Sequence, residues 1–232
     1  MKSFPMFGIV LAACLASAGR SSADVIYAQN GLTYTSGMSS QNDTSGTWGP
    51  GFFTAFDNFT LSTTSQINAV HWVGGSAPST TSPITQFTIG FWSDAGGPGG
   101  SPGTLLATNV ISGNANQTFI LLSSGNNYYS YDGQLTSAFN ANGGTMYWMS
   151  IVPDMAYSPG TNQWFWADVI GGPGDGDNWL RSVPFSIDEH QGFDLAFSLS
   201  DNSIAAVAEP STFALTAPLL WLGFIVWRHR RR

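Results

Sequence analysis

Between residues 24 and 206 no window sustains a 3.6-residue apolar period; short β-branched and aromatic runs recur between clusters of Gly, Pro, Asn and Ser. The breakers are explicit: Gly74-Gly75, Gly96-Gly97-Pro98-Gly99-Gly100, Gly125-Asn126-Asn127, Asn142-Gly143-Gly144 and Gly171-Gly172-Pro173-Gly174. Strands are predicted over 24–28, 32–35, 52–61, 67–73, 85–92, 105–111, 117–122, 128–135, 145–152, 163–169 and 193–199. Regularly spaced strands without helices predict an all-β fold, an antiparallel β-sandwich with jelly-roll topology. Alternation supports the reading. Phe87, Ile89 and Phe91 point one way, and Phe193, Leu195, Phe197 and Leu199 form another apolar face with Asp194 outward.

The span 24–206 is long enough for one well-buried domain. It has no cysteine, so disulfides cannot support it. It has no lysine, and one arginine, Arg181, stands against thirteen carboxylates for a net charge of −12. Nucleic acid is excluded as a partner, because phosphate neutralisation needs basic side chains. An anionic membrane surface is disfavoured for the same reason. Seven tryptophans in this span provide the apolar area of a folded core.

The two ends carry export signals. Met1 to Ala23 reads as a secretory signal peptide: Lys2, an apolar stretch from Phe4 to Ala18, and the small residues Ser21-Ser22-Ala23 before the cut. Leu11-Ala12-Ala13-Cys14 offers a second reading, a lipoprotein signal acylated at Cys14. At the other end, residues 207–232 contain Ala208-Glu209-Pro210, an apolar run from Phe213 to Trp227, and Arg228-His229-Arg230-Arg231-Arg232. With Ser211 and Thr212 the run makes a helix of roughly 25 Å, the short end of what a bilayer core requires. The arginines hold its end on the cytoplasmic side, so a single C-terminal transmembrane helix is expected with the domain outside.

This tail closely resembles the PEP-CTERM sorting signal of Gram-negative envelope proteins. The resemblance implies an exosortase-type transpeptidase as partner, acting near Glu209 and Pro210. It also implies an inner-membrane-anchored precursor, with Arg228, Arg230, Arg231 and Arg232 as the membrane stop, followed by release to the cell surface or extracellular matrix. The segments Phe56–Leu61, Phe91–Leu106, Tyr147–Ile151 and Phe193–Leu199 look like a recurring ectodomain of the same proteins.

The chain has no thiol outside the leader. His71 lies mid-strand, and Asp188-Glu189-His190 sets a carboxylate beside an imidazole in an expected loop. For metal, Asp175-Gly176-Asp177-Asn178 alternates oxygen ligands on a Gly-rich loop, a pattern suited to calcium, with Asp168 and Asp94 as further candidates. For carbohydrate, Trp164 and Trp166 share one face of Gln163–Asp168. Facing out, they form a platform for sugar rings flanked by Asp168; facing in, they are core. Trp48 and Trp179 read as loop aromatics that core packing does not account for. The expected role is non-catalytic, a structural or glycan-interacting matrix protein that meets exopolysaccharide. A polysaccharide hydrolase and a calcium-dependent adhesive domain are the alternatives.

Overall fold

The computed structural model describes residues 24–201 apart from 32, 77–82, 98, 158–162 and 170–173. The leader with Cys14, and the tail with Glu209, Pro210 and its arginines, lie outside the described residues. Within them every regular element is a strand. In chain order these are β1 (Val25–Gln29), β2 (Gly37–Ser39), β3 (Asn42–Asp43), β4 (Thr54–Thr60), β5 (Ser65–Ser76), β6 (Gln86–Asp94), β7 (Pro102–Ser112) and β8 (Thr118–Ser123). They continue with β9 (Asn126–Ala141), β10 (Met146–Met155), β11 (Trp164–Val169), β12 (Asn178–Ser182), β13 (Ile187–Gln191), β14 (Asp194–Leu195) and β15 (Phe197–Ser200).

The strands form two sheets. In sheet one, β5 pairs with β9 on one edge and with β15 and then β11 on the other; β8 lies outside β9, and β1 outside β15. Sheet two runs β13-β12-β4-β10-β6-β7. Every pair is antiparallel except the short contact of β3 with the end of β10. Among the described strands the chain passes from one sheet to the other between β2 and β3, β4 and β5, β5 and β6, β7 and β8, β9 and β10, β10 and β11, β11 and β12, and β13 and β14. The expected antiparallel all-β sandwich is therefore the fold.

Period-2 alternation builds the core between the sheets. Sheet two sends in Ala55 and Phe59 from β4, Phe87, Ile89 and Phe91 from β6, and Tyr147, Met149 and Ile151 from β10. They meet Val70 and Trp72 of β5, Tyr131 of β9, Trp164 and Trp166 of β11, and Phe197 and Leu199 of β15. Phe87 stands edge-on to both Trp72 (5.0 Å) and Trp164 (5.6 Å), geometry that adds about 0.5–1.5 kcal/mol per pair beyond area burial. A Cβ on Gly74 would lie 2.2 Å from the Trp164 ring, so only glycine lets that indole rest on the β5 backbone. Both sheets and the core between them are built from residues within 24–201.

The fold corrects several expected elements. Residues 33–35 form no strand, while β12 and β13 form a hairpin where loop residues were expected. The last strand is broken at Ala196, whose N–H donates to Ala167 O (2.8 Å) and whose carbonyl accepts from Trp166 Nε1 (2.9 Å). Asp194, expected outward, is buried beside that break.

Candidate functional site

The residues that β4, β6, β10 and β12 turn away from the core form a second aromatic group, on the outer face of sheet two. Register places Trp179 opposite Phe56, Phe56 opposite Ser150, and Ser150 opposite Gly90. In the adjoining row Asn58 is opposite Trp148, and Trp148 opposite Trp92. Trp92 and Trp179 are half-buried. Trp92 meets Phe56 edge-on at 5.4 Å, and the Arg181 guanidinium lies over the same Phe56 ring at 5.1 Å.

Each indole is oriented by a hydrogen bond at its polar end. Trp92 Nε1 donates to Ser150 Oγ at 3.0 Å, and Trp179 Nε1 donates to Asp188 Oδ1, which also accepts from Arg181 Nε at 3.3 Å. Gly90 makes the first arrangement possible: a Cβ there would stand 2.7 Å from Trp92 Nε1. The ring therefore lies back across the sheet where any other residue would push it off.

Two loops rise over this face. Trp148 points outward yet is fully buried, because the loop after β6 closes on it: Trp148 Nε1 and Ser101 N both donate to Asp94 Oδ1, each at 3.1 Å. Asn58 is covered by the loop before β12, its Nδ2 donating to Asp175 Oδ2 at 3.1 Å. His190, opposite Trp179, bonds through Nε2 to Asp177 Oδ1 at 2.6 Å. Half-buried indoles thus sit beside an arginine, an imidazole and several carboxylates, the mixture of apolar floor and oriented polar groups that small-molecule sites use.

The structure moves the sequence candidates. Trp164 and Trp166 are 1% and 0% exposed, so they face in and form no sugar platform. Their N–H groups are satisfied inside, by Tyr131 Oη (3.2 Å) and Ala196 O. Asp168 flanks no ligand face either; its carboxylate accepts from Ser36 N at 3.2 Å and from Ser36 Oγ. The calcium set does not converge. Asp175 is engaged by Asn58 and by Asp177 N (3.1 Å), Asp177 by His190, and Asn178 points inward with Nδ2 donating to Phe193 O. Among the described residues no three His, Cys, Asp or Glu side chains are arranged to hold a metal ion. Trp179 and His190, expected in loops, are cross-strand neighbours on β12 and β13. Their outward pairing with Phe56 could have been read only by recognising that hairpin.

No protein-family model, curated protein or solved structure matches this chain. The site is read from its own geometry.

His71 Nδ1 pairs with Asp132 Oδ1 at 2.8 Å on the outer face of sheet one, with Ser198 opposite His71 on β15. No hydrogen bond joins Ser198 to the imidazole, so the nucleophile-to-base link of a hydrolytic triad is not made.

Trp48 belongs to a separate aromatic group with Phe52 (5.9 Å) and Phe185 (4.9 Å), and Phe185 is stacked on Phe53 (5.7 Å). Asp43 holds its turn, accepting from Ser45 N (2.7 Å), Trp48 N (2.8 Å) and Tyr157 N (2.9 Å). Burial opposes ionisation of Asp43, but these bonds outweigh it and hold the carboxyl well below the usual aspartate range. Its stabilisation is full above the unfolded value of about 3.9 and falls as the pH drops through the lower folded value. Asp43→Ala leaves three N–H groups without their acceptor and is expected to destabilise by about 2–4 kcal/mol at neutral pH. Urea denaturation from pH 2 to 7 checks this, the difference from wild type shrinking at the acid end.

Proposed function

We propose that the chain is an exported surface or matrix protein whose sandwich contacts glycan, without catalysis, through the outer face of sheet two. One observation carries the reading: Trp92 and Trp179, half-buried on one sheet face, are each pinned at the indole nitrogen, with Phe56 between them and Arg181 over the Phe56 ring. Pinned rings lose little conformational freedom when a ligand stacks on them, and Asp177, Asp188, His190 and Arg181 supply donors and acceptors for hydroxyls. The domain's charge of −12 suits a neutral glycan better than an anionic one. The export part of the proposal rests on the leader and on the sorting-signal resemblance of residues 207–232, which support an exosortase-type partner, membrane anchoring through the apolar run 213–227, and delivery to the envelope. The crossings between sheets support the jelly-roll reading of the topology.

The test is retention of residues 24–201 and of the full chain on exopolysaccharide purified from the producing organism. Trp92→Ala and Trp179→Ala are each expected to weaken retention about tenfold, the loss of roughly 1.4 kcal/mol of ring contact. Thermal melting checks that both variants remain folded. No retention of the wild-type chain overturns the proposal. Release of reducing ends would move the reading to a hydrolase, and retention lost with chelator alone to a calcium-dependent adhesin.

A further inference from the structure

The outward row that contains Trp179 crosses the whole of sheet two. It begins at His190 on β13, opposite Trp179, and passes Phe56, Ser150 and Gly90 to reach Thr108 on β7. His190 and Thr108 are exposed, so the row ends open at both edges of the sheet. Gly90 leaves a gap in it. The Trp92 indole fills that gap, since a Cβ on Gly90 would stand 2.7 Å from its Nε1 and 3.3 Å from its Cε2. By register Trp92 belongs to the adjoining row, yet its ring lies in the same row as Trp179.

The two indoles are held apart. β12 and β6 are separated by β4 and β10, which puts Trp179 and the Gly90 position roughly 14 Å apart across the sheet. Trp92 Nε1 turns in toward Ser150, whereas Trp179 Nε1 turns away from β4, to Asp188 on β13. A sugar ring has the footprint of the six-membered half of an indole, so one ring cannot rest on both. Between them the Arg181 guanidinium lies over Phe56 at 5.1 Å. Among the described residues it is bonded through Nε alone, to Asp188, and both terminal nitrogens are left for a ligand. The paired N–H groups of that fork match two neighbouring oxygen atoms, and Asp188 offsets the charge behind them.

We propose, building on the glycan reading above, that this row holds an inner stretch of a linear neutral glycan laid across the strands. One sugar ring rests on Trp179 and another on Trp92, and Arg181 takes a pair of adjacent hydroxyls on a unit between them. The loops that cover Trp148 and Asn58 wall one side of the row. The open edges let the polymer run on past His190 and Thr108, so no chain end is needed. Each indole alone gives a weak contact. Two contacts on one chain multiply, because the second forms at the effective concentration set by the first. A single sugar gains only one of them.

Calorimetric titration of the full chain in detergent tests this, using oligosaccharides graded by length from partial hydrolysis of exopolysaccharide purified from the producing organism. Monosaccharides are expected to bind about tenfold or more weakly than fragments that span both indoles, with no further gain beyond that length. Reducing the terminal aldehyde of the long fragments is expected to change nothing. In Trp92→Ala and in Trp179→Ala the gain with length is expected to disappear. Arg181→Lys keeps the charge and loses the fork, so long fragments are expected to bind about tenfold more weakly, with monosaccharide binding unchanged. Thermal melting checks that each variant is folded. A monosaccharide that binds as tightly as a long fragment, or binding abolished by terminal reduction, would overturn the proposal and leave the glycan reading standing. So would an Arg181→Lys variant that binds every length as the wild type does. Absence of binding by every fragment and by the intact polymer removes the glycan reading, and this proposal with it.

Discussion

Trp166→Ala is expected to destabilise the domain by about 3–5 kcal/mol, the usual range for deleting a buried aromatic side chain. In a domain of this size that lowers the melting temperature by on the order of 10 °C. The indole is fully buried, meets Phe197 at 5.7 Å, and donates to Ala196 O at the point where the last strand breaks. Alanine leaves a cavity between the sheets and removes the bond that ties β11 to that break. Trp166→Phe keeps most of the volume and loses the N–H, so a smaller loss of about 1–2 kcal/mol is expected. Guanidinium denaturation of residues 24–201 checks both values. A ligand-facing tryptophan would give the reverse result, near-normal stability with weakened retention, and that is the outcome expected of Trp179→Ala. The two variants together separate core from surface aromatics.

The sequence shows that a β-strand alternates but leaves open which side is the core. For β11 both sides are apolar, Trp164 and Trp166 against Phe165 and Ala167, and in the structure both are covered. Ala167 is buried in a smaller apolar cluster on the outer face of sheet one, with Phe165 packed against it. Exposure could therefore not be read from pattern. β6 and β10 were legible because their inward positions, Phe87, Ile89 and Phe91 and Tyr147, Met149 and Ile151, are uniformly large and apolar, whereas β4 turns Ala55 and Asp57 inward beside Phe59. The outer face of sheet two was hidden for a different reason. Its aromatics come one at a time, Phe56 and Trp92 within strands whose other side is the evident core, and Trp179 within a hairpin whose Asn, Arg, Asp, Glu and His residues read as loop. Only the pairing of β12 with β4 brings Trp179 to Phe56.

The acidic loop was legible as a cluster but not as a set of contacts. Asp175, Asp177 and Asn178 alternate on the chain as calcium ligands do, yet each is drawn to a partner distant in sequence: Asn58, His190 and Phe193 O. Gly174 matters for the same reason. A Cβ there would fall 2.1 Å from the Asp194 carboxyl carbon, so only glycine lets the loop lie against that side chain, with Gly176 N donating to Asp194 Oδ1 at 2.8 Å.

Asp57 should give the chain a pH dependence opposite in sign to that of Asp43. It lies fully buried on the core side of β4, and its Oδ2 accepts from Gln29 Nε2 at 2.9 Å and from Leu195 N. Its Oδ1 has no partner, nor does Asn178 Oδ1, on the residue directly opposite across β4 and β12. Burial pushes the Asp57 carboxyl well above its usual range, with the Asp194 charge adding to the rise and the Leu195 and Gln29 bonds opposing it. The folded state therefore binds a proton that the unfolded state releases near pH 4. Stability from this group is full below that pH and is lost as the pH rises through the raised folded value. A proton on Oδ1 also gives two orphaned acceptors a donor between them. Asp57→Asn supplies the same donor permanently: its oxygen can accept from Leu195 and Gln29, and its amide can donate toward Asn178. The variant is expected to equal the wild type within about 1 kcal/mol at pH 4 and to exceed it increasingly toward pH 8. Urea midpoints across that range decide the matter, since parallel curves for the two proteins would mean that Asp57 is ionised throughout.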